Sequence, residues 1–255
     1  MSSLAYTDSG AGIPLVLIHG FCESKSIWQE FESELFSHFR VISLDLPGFG
    51  ESPQLPLTTI ETFADAVNGL LLELSIKKCV LVGHSLGGYV SLAFGEKYPD
   101  KLLGLGLFHS TAFADPEEKK QNRNKTIEFL KVNGVPAFIE PFVPGLFYPK
   151  YRKNHATAIH KLIEIGLGTS ALSIIATTEA MRDRIDRTEV LKSLNVPVLF
   201  IVGKNDNAVP LESSLLQISL AKTTHVLILD ETAHMGMFER KKETLDFLKG
   251  FVEAC

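Results

Sequence analysis

Short apolar runs alternate along this chain with longer stretches in which apolar side chains recur every three or four positions. Runs of the first kind read as buried strands, and stretches of the second kind as helices with one apolar face. Residues 4–7 form a short strand candidate, and the turn chemistry of Asp8-Ser9-Gly10-Ala11-Gly12 returns the chain into the run Pro14-Leu15-Val16-Leu17-Ile18. That run ends at His19-Gly20-Phe21, where a glycine lets the backbone approach a ligand closely. Trp28, Phe31, Leu35 and Phe36 share one face of a helix predicted over 27–39, and residues 40–45 are again strand-like. Asp45-Leu46-Pro47-Gly48-Phe49-Gly50-Glu51-Ser52 is a tight loop, expected to wall a site. Thr58 with Glu61 marks a capping box ahead of a helix running to about residue 74.

The next segment, 78–98, organises the rest. An apolar run Cys79-Val80-Leu81-Val82 meets Gly83-His84-Ser85-Leu86-Gly87-Gly88, and an amphipathic stretch over 86–97 closes at Tyr98-Pro99. This is a strand, an abrupt turn and a helix. Glycines two residues to either side of Ser85 remove the Cβ atoms that a sharp turn would crowd, so Ser85 is presented as an exposed nucleophile. A strand follows over 102–108. From about 112 to 191 strand signals vanish, and helical patterns broken by Pro136, Pro141, Pro144 and Pro149 carry Phe113, Phe129, Phe138, Phe142 and Phe147. Sheet-like text resumes over 196–202 and 226–229, with helices predicted over 210–220 and 238–252. The fold class is therefore α/β: a mostly parallel sheet with helices on both faces, built from 1–111 and 191–255, with 112–190 inserted as a helical unit.

Composition narrows the function classes. A length of 255 residues with 45% apolar and 22% charged content is that of an ordinary globular chain. A net charge of -5 and a pI near 5.9, with no lysine or arginine run, exclude a nucleic-acid partner. Three scattered cysteines, Cys22, Cys79 and Cys255, offer neither a disulfide framework nor a paired metal site. No basic-then-apolar leader and no apolar run near ~18 residues is present, so no membrane association is expected and the cytoplasm is the default location. Gly104-Leu105-Gly106 begins a dinucleotide fingerprint, but residue 109 is histidine where the third glycine belongs. No phosphate loop or zinc motif occurs, and neither a cofactor nor a metal is implied.

Parallel α/β sheets carry their sites at the carboxyl ends of the strands, and His19, Ser85, Asp206 and His234 all lie at or near predicted strand ends. A serine hydroxyl needs a base to take its proton and a carboxylate to hold that base in the right tautomer. Asp206 follows a strong strand in Gly203-Lys204-Asn205-Asp206, and His234 lies in the loop before the last helix. Asp230 and Glu231 are too near His234 in sequence to face it comfortably, and His109-Ser110, after the preceding strand, supplies no acid. His19 and His84 are candidates for orienting loops at the pocket, while His109 is divided between pocket lining and the edge of the core.

The Gly-His-Ser-Leu-Gly-Gly elbow, the His19-Gly20 dipeptide, the 45–52 loop and the Asp206 and His234 loops, in this order, resemble the α/β-hydrolase superfamily, in particular its small capped carboxylesterase-like serine hydrolases. The resemblance spans nearly the whole chain. It implies a Ser85, His234, Asp206 triad, an oxyanion hole from the backbone N–H groups of Phe21 and Leu86, and a cap formed by 112–190 over the pocket. Pocket candidates are His19, Gly20, His84, His109, Phe113, Phe138, Phe142 and Phe147. The N-terminus departs from the family pattern, with little before Leu15 to supply the usual first strand. The expected function is hydrolysis of a small or medium ester through an acyl-enzyme, with a small-molecule acyl substrate. The alternatives on the same fold are a receptor or signalling protein with slow or no turnover, a C–C hydrolase and a perhydrolase.

Overall fold

In the computed structural model, which describes residues 4–255, seven strands join in one sheet among the described residues. They are β1 (Tyr6–Ser9), β2 (Pro14–Ile18), β3 (Arg40–Leu44), β4 (Cys79–His84), β5 (Leu102–Phe108), β6 (Val198–Gly203) and β7 (Thr224–Leu229), in the spatial order β1-β3-β2-β4-β5-β6-β7. Every neighbouring pair is parallel except β1 with β3, which is antiparallel. The stretch before Leu15 thus does supply an edge strand, shifted slightly from residues 4–7. Parallel neighbours need long crossovers, and helices provide them: α1 (Gln29–Leu35), α2 (Ile60–Glu73), α3 (Leu86–Lys97), α4 (Glu117–Gly145), α5 (Ala156–Leu167), α6 (Ala171–Asp183), α7 (Thr188–Ser193), α8 (Leu211–Ile218), α9 (Gly236–Glu239) and α10 (Lys241–Glu253).

Alternation along the strands sends successive side chains to opposite faces. Val16 and Ile18 of β2 join Leu81 of β4 in a core with Phe63 and Val67 of α2 and Val90 and Phe94 of α3. Leu15, Leu17, Val80 and Val82 face the other way, towards Trp28, Phe31 of α1 and Leu248 and Phe251 of α10. The segment between β5 and β6 is helical, α4 to α7, and α4 packs on both α5 and α6. Its two ends are pinned together where the Arg187 N–H donates to the Ala112 carbonyl at 2.8 Å.

Four expectations shift in detail. The helix over 27–39 is a short 3-10 turn, Lys25–Trp28, followed by α1, which ends at Leu35. The capping box ahead of α2 is formed by Thr59 and Thr62, one residue later than Thr58 and Glu61: the Thr59 Oγ1 accepts the Thr62 N–H at 3.1 Å, and the Thr59 N–H donates to the Thr62 hydroxyl at 2.9 Å. Helix α3 is not amphipathic over its length, because residues 86 to 95 are all buried between the sheet and the surrounding helices. The last helix breaks at Arg240 into α9 and α10. Within α4, Gly134 has φ 77, so a left-handed residue divides the helix into two segments at a place where glycine carries no Cβ penalty.

Candidate active site

The loop ends at the carboxyl edge of β2, β4, β5, β6 and β7 converge. Ser85 sits between β4 and α3 with φ 50 and ψ −111, a conformation rare for a residue with a Cβ. The turn is braced on both sides: the Ser85 N–H donates to the Phe108 carbonyl at 2.9 Å, and its carbonyl accepts the Ser110 hydroxyl at 2.7 Å. The flanking glycines are sterically required. A Cβ on Gly83 would stand 2.1 Å from the Gly87 carbonyl group, and one on Gly87 would stand 2.6 Å from the Ile18 oxygen.

Asp206 is buried at the end of β6. Its Oδ1 accepts the N–H groups of Ala208 and Val209, at 2.8 and 2.9 Å. Its Oδ2 accepts Nδ1–H of His234 at 2.7 Å and Nδ1–H of His109 at 3.1 Å. Burial alone would raise the acid's pKa, but His234 and His109 outweigh it and hold the group well below the usual carboxylate range. Asp206 is therefore a fixed anion. With Nδ1 committed to it, His234 keeps Nε2 as its free basic nitrogen. The His234 backbone is pinned in turn, its N–H donating to the Leu146 carbonyl at 2.9 Å and its carbonyl accepting Nε2–H of His84 at 3.0 Å.

Ser85 and His234 line the same cavity, of about 250 Å³, together with Phe21, Glu23 and Tyr89 from the sheet side. Lys119, Arg123, Phe138, Phe142, Leu146, Thr178 and Met181 close it from the helical insertion. No hydrogen bond joins the Ser85 hydroxyl to His234 among the described residues. The Phe21 N–H has no protein acceptor among the described residues, and the Leu86 N–H opens α3, where no intrahelical acceptor exists.

The expected site residues separate into two groups. Ser85, Asp206, His234, Phe21, Phe138 and Phe142 are brought together at the cavity, with Leu86 directly behind Ser85. His19, Gly20, His84, His109, Phe113 and Phe147 are not among the residues that line it. His19 is buried behind the turn, where its Nδ1–H donates to the Gly20 carbonyl at 2.7 Å and its Nε2 accepts the Leu46 N–H at 2.9 Å. Gly20 leaves room for two side chains, since a Cβ there would lie 2.6 Å from His84 Nδ1 and 2.8 Å from Glu23 Oε2. Phe113 is half-buried, and its carbonyl accepts from Arg184 at 2.9 Å. Phe147 is core, packed against His155 and Phe238. The loop over 45–52 also stays off the cavity wall; its buried Asp45 accepts the Lys25 N–H at 2.6 Å and Nζ at 2.8 Å.

His109 has a specific place behind the site. Its Nε2 accepts the Gly236 N–H at 3.2 Å while Nδ1–H holds Asp206, so the ring is neutral and bridges β5, β6 and the His234 loop. Burial pushes its pKa down to about 4 against the pull of Asp206.

Glu23 is the residue that the sequence did not disclose. Its Oε2 accepts the Gly20 N–H at 2.6 Å and faces His84 Nδ1 at 3.0 Å. His84 therefore meets acceptors at both ring nitrogens and is an imidazolium. Burial lowers its pKa, yet Glu23 and the His234 carbonyl outweigh that and the net shift is upward; Glu23, which burial would raise, is lowered by His84. The pair ties the Phe21 turn, the Ser85 elbow and the His234 loop into one unit. The only sequence signal for it is an acid set among buried residues just after β2.

His109, Asp206 and His234 are also close enough to share an ion, with ligand atoms within 4.8 Å of one another. The Asp206 oxygens are already committed to four N–H donors, which leaves the cluster built for hydrogen bonding.

Comparison with known proteins agrees with this architecture. A sequence model of the alpha/beta hydrolase fold matches residues 13–143. Lipase 3 of Moraxella sp. (strain TA144) is 27% identical over 97% of this chain and 79% of its own length. The pimeloyl-[acyl-carrier protein] methyl ester esterase of Pseudoalteromonas atlantica is 27% identical over 96% of this chain and 95% of its own. Among solved structures, a thermophilic esterase from Thermogutta terrifontis, in its malate-bound form, superposes with a TM-score of 0.93 at 32% identity, covering 98% of this chain and 93% of that one. The chain belongs to the α/β-hydrolase fold family and is an α/β-fold hydrolase with esterases and lipases among its relatives.

Proposed function

We propose that the protein hydrolyses carboxylic esters with a small or medium acyl group, using Ser85 as nucleophile, His234 as general base and acid, and Asp206 as its orienting anion. The observation that carries this is the 2.7 Å hydrogen bond from His234 to a buried, anionic Asp206, with the His234 ring on the wall of the cavity that Ser85 also lines. In the first half-reaction His234 Nε2 takes the Ser85 proton as Oγ attacks the ester carbonyl. The Phe21 and Leu86 N–H groups receive the developing oxyanion, each donor contributing about 3 kcal/mol. His234 then returns the proton to the departing alkoxide. Water, deprotonated by the same ring, attacks the acyl-enzyme and releases the acid.

The cavity, at about 250 Å³, lies below the ~300–1,000 Å³ of sites for drug-sized ligands, which favours a short acyl chain between Phe21, Phe138 and Phe142. Purified protein with p-nitrophenyl acetate and butyrate tests the proposal: many turnovers per chain are expected, falling by at least about a thousandfold in Ser85→Ala. Turnover that survives Ser85→Ala would refute it, as would stoichiometric labelling without release, the behaviour of a receptor.

A further inference from the structure

We propose that the cavity is built for a substrate that carries a carboxylate, received by Arg123 and Lys119 on the insertion wall while the ester carbonyl lies at Ser85; this rests on the ester-hydrolase function above. The sequence's net charge of -5 gives no hint of it. Locally the balance is reversed. Three cations surround one buried carboxylate: Asp115 stands 2.9 Å from Arg123 Nε, 2.7 Å from Arg184 Nη1 and 3.9 Å from Lys119 Nζ.

Arg184 is consumed by the structure. Its side chain is buried over the Tyr89 ring at 4.1 Å and donates to the carbonyls of Met181 and Phe113. Arg123 and Lys119 are not. Both line the cavity, and their side chains are 18% and 35% exposed. Lys119 donates to the Ala208 carbonyl at 3.0 Å, which places it beside the Asp206 loop. Arg123 spends Nε on Asp115, while Nη1 meets only the Met181 sulfur at 3.5 Å. The Nη donors face no acceptor oxygen among the described residues, which leaves the fork open for a carboxylate.

The Tyr89 hydroxyl is a third donor. It belongs to the cavity wall and has no hydrogen-bond partner among the described residues. Burial should raise its pKa, yet Arg184, Lys119 and Arg123 outweigh both burial and Asp115 and lower it, as a positive field inside the cavity would. Asp115 lies behind the wall, and the acid that does line the cavity, Glu23, is matched by His84. Glu117 and Glu118 of α4 are exposed and off the cavity.

The test compares mono-p-nitrophenyl glutarate, which ends in a carboxylate, with the shape-matched neutral p-nitrophenyl 5-methylhexanoate. In the wild-type enzyme at low salt kcat/KM should favour the glutarate ester by about tenfold or more, and the ratio should shrink as ionic strength rises to about 0.5 M. Arg123→Gln should collapse the ratio by about 10–100-fold, chiefly through KM, and Arg123→Lys should restore part of it. A ratio near unity in the wild type, or one that Arg123→Gln leaves unchanged in a protein with native circular dichroism, overturns the proposal. If neither ester turns over, the hydrolase function has failed instead. Calorimetric titration with glutarate dianion then decides: binding lost in Arg123→Gln sustains the carboxylate site, and no binding to the wild type overturns it.

Discussion

Replacing Glu23 by glutamine keeps the side chain's shape and removes its charge. The Gly20 N–H and His84 Nδ1 share one oxygen, Oε2, and His84 Nε2–H is held by the His234 carbonyl, so Glu23 is the counter-ion of a buried imidazolium. Without it the ring must either stay charged and unpaired or lose a proton and turn an acceptor towards the amide. Removing one partner from a buried pair costs about 3–5 kcal/mol; with one acceptor retained, a loss of about 2–4 kcal/mol is expected. For a chain of this size that is a fall in Tm of roughly 5–15 °C. The loss must also depend on pH. Glu23, held below its ordinary 4.5, contributes stability in full above that value and loses it as pH falls through its folded pKa. His84, raised above its ordinary 6.5, contributes in full below that value and loses it as pH rises through its folded pKa. The deficit of Glu23→Gln is therefore greatest between about pH 4.5 and 6.5 and shrinks towards alkaline pH. Urea unfolding followed by the fluorescence of Trp28, the single tryptophan, buried against Phe31 and Phe108, measures it. A deficit under about 0.5 kcal/mol at pH ~5.5, or one that grows as pH rises above about 6.5, would falsify the ion-pair assignment.

Other expected outcomes follow from single contacts. Gly83→Ala drives a Cβ into the Gly87 backbone at 2.1 Å, which no rotamer relieves, and should cost about 2–3 kcal/mol or abolish folding, as read from urea midpoints. His109→Ala strips Asp206 of one donor and the Gly236 N–H of its acceptor; a fall of roughly tenfold in kcat with little change in KM, together with about 2 kcal/mol of stability, is expected from steady-state kinetics and unfolding curves. An unchanged kcat would remove His109 from the positioning of Asp206. Thr59→Ala breaks the capping box of α2 and should lower stability by about 1 kcal/mol, with activity at ambient temperature as the control that should not move.

Where hydrophobic periodicity and turn residues act over a few neighbours, the chain announces its own structure. Helix α3 spans Leu86–Lys97 and β5 spans Leu102–Phe108, as expected, because glycines, a proline and β-type runs mark those limits locally. Gly83 is legible for the same reason, since the crowding it relieves is with Gly87, four residues on, whereas a Cβ on Gly87 would meet the Ile18 and His19 carbonyls at the end of β2, a contact made only by the fold. Slippage came where two signals compete within one turn, as with Thr58 and Thr59, or where a helix is buried on every side and polarity no longer reports burial, as in α3.

What the sequence determined by itself is the alternation of strands and helices, the sharp turn at Ser85, and the residue types at the strand ends where Asp206 and His234 lie. Only the tertiary structure decided which histidines touch Asp206, that Glu23 neutralises His84, and that Arg123 and Lys119 of the insertion share a cavity with Ser85. The physical reason is distance along the chain: His109 meets Asp206 across 97 residues and His84 meets the His234 carbonyl across 150. Such contacts leave no periodic trace in the sequence, because they arise from the register of parallel strands that meet edge to edge and not from the preferences of neighbouring residues.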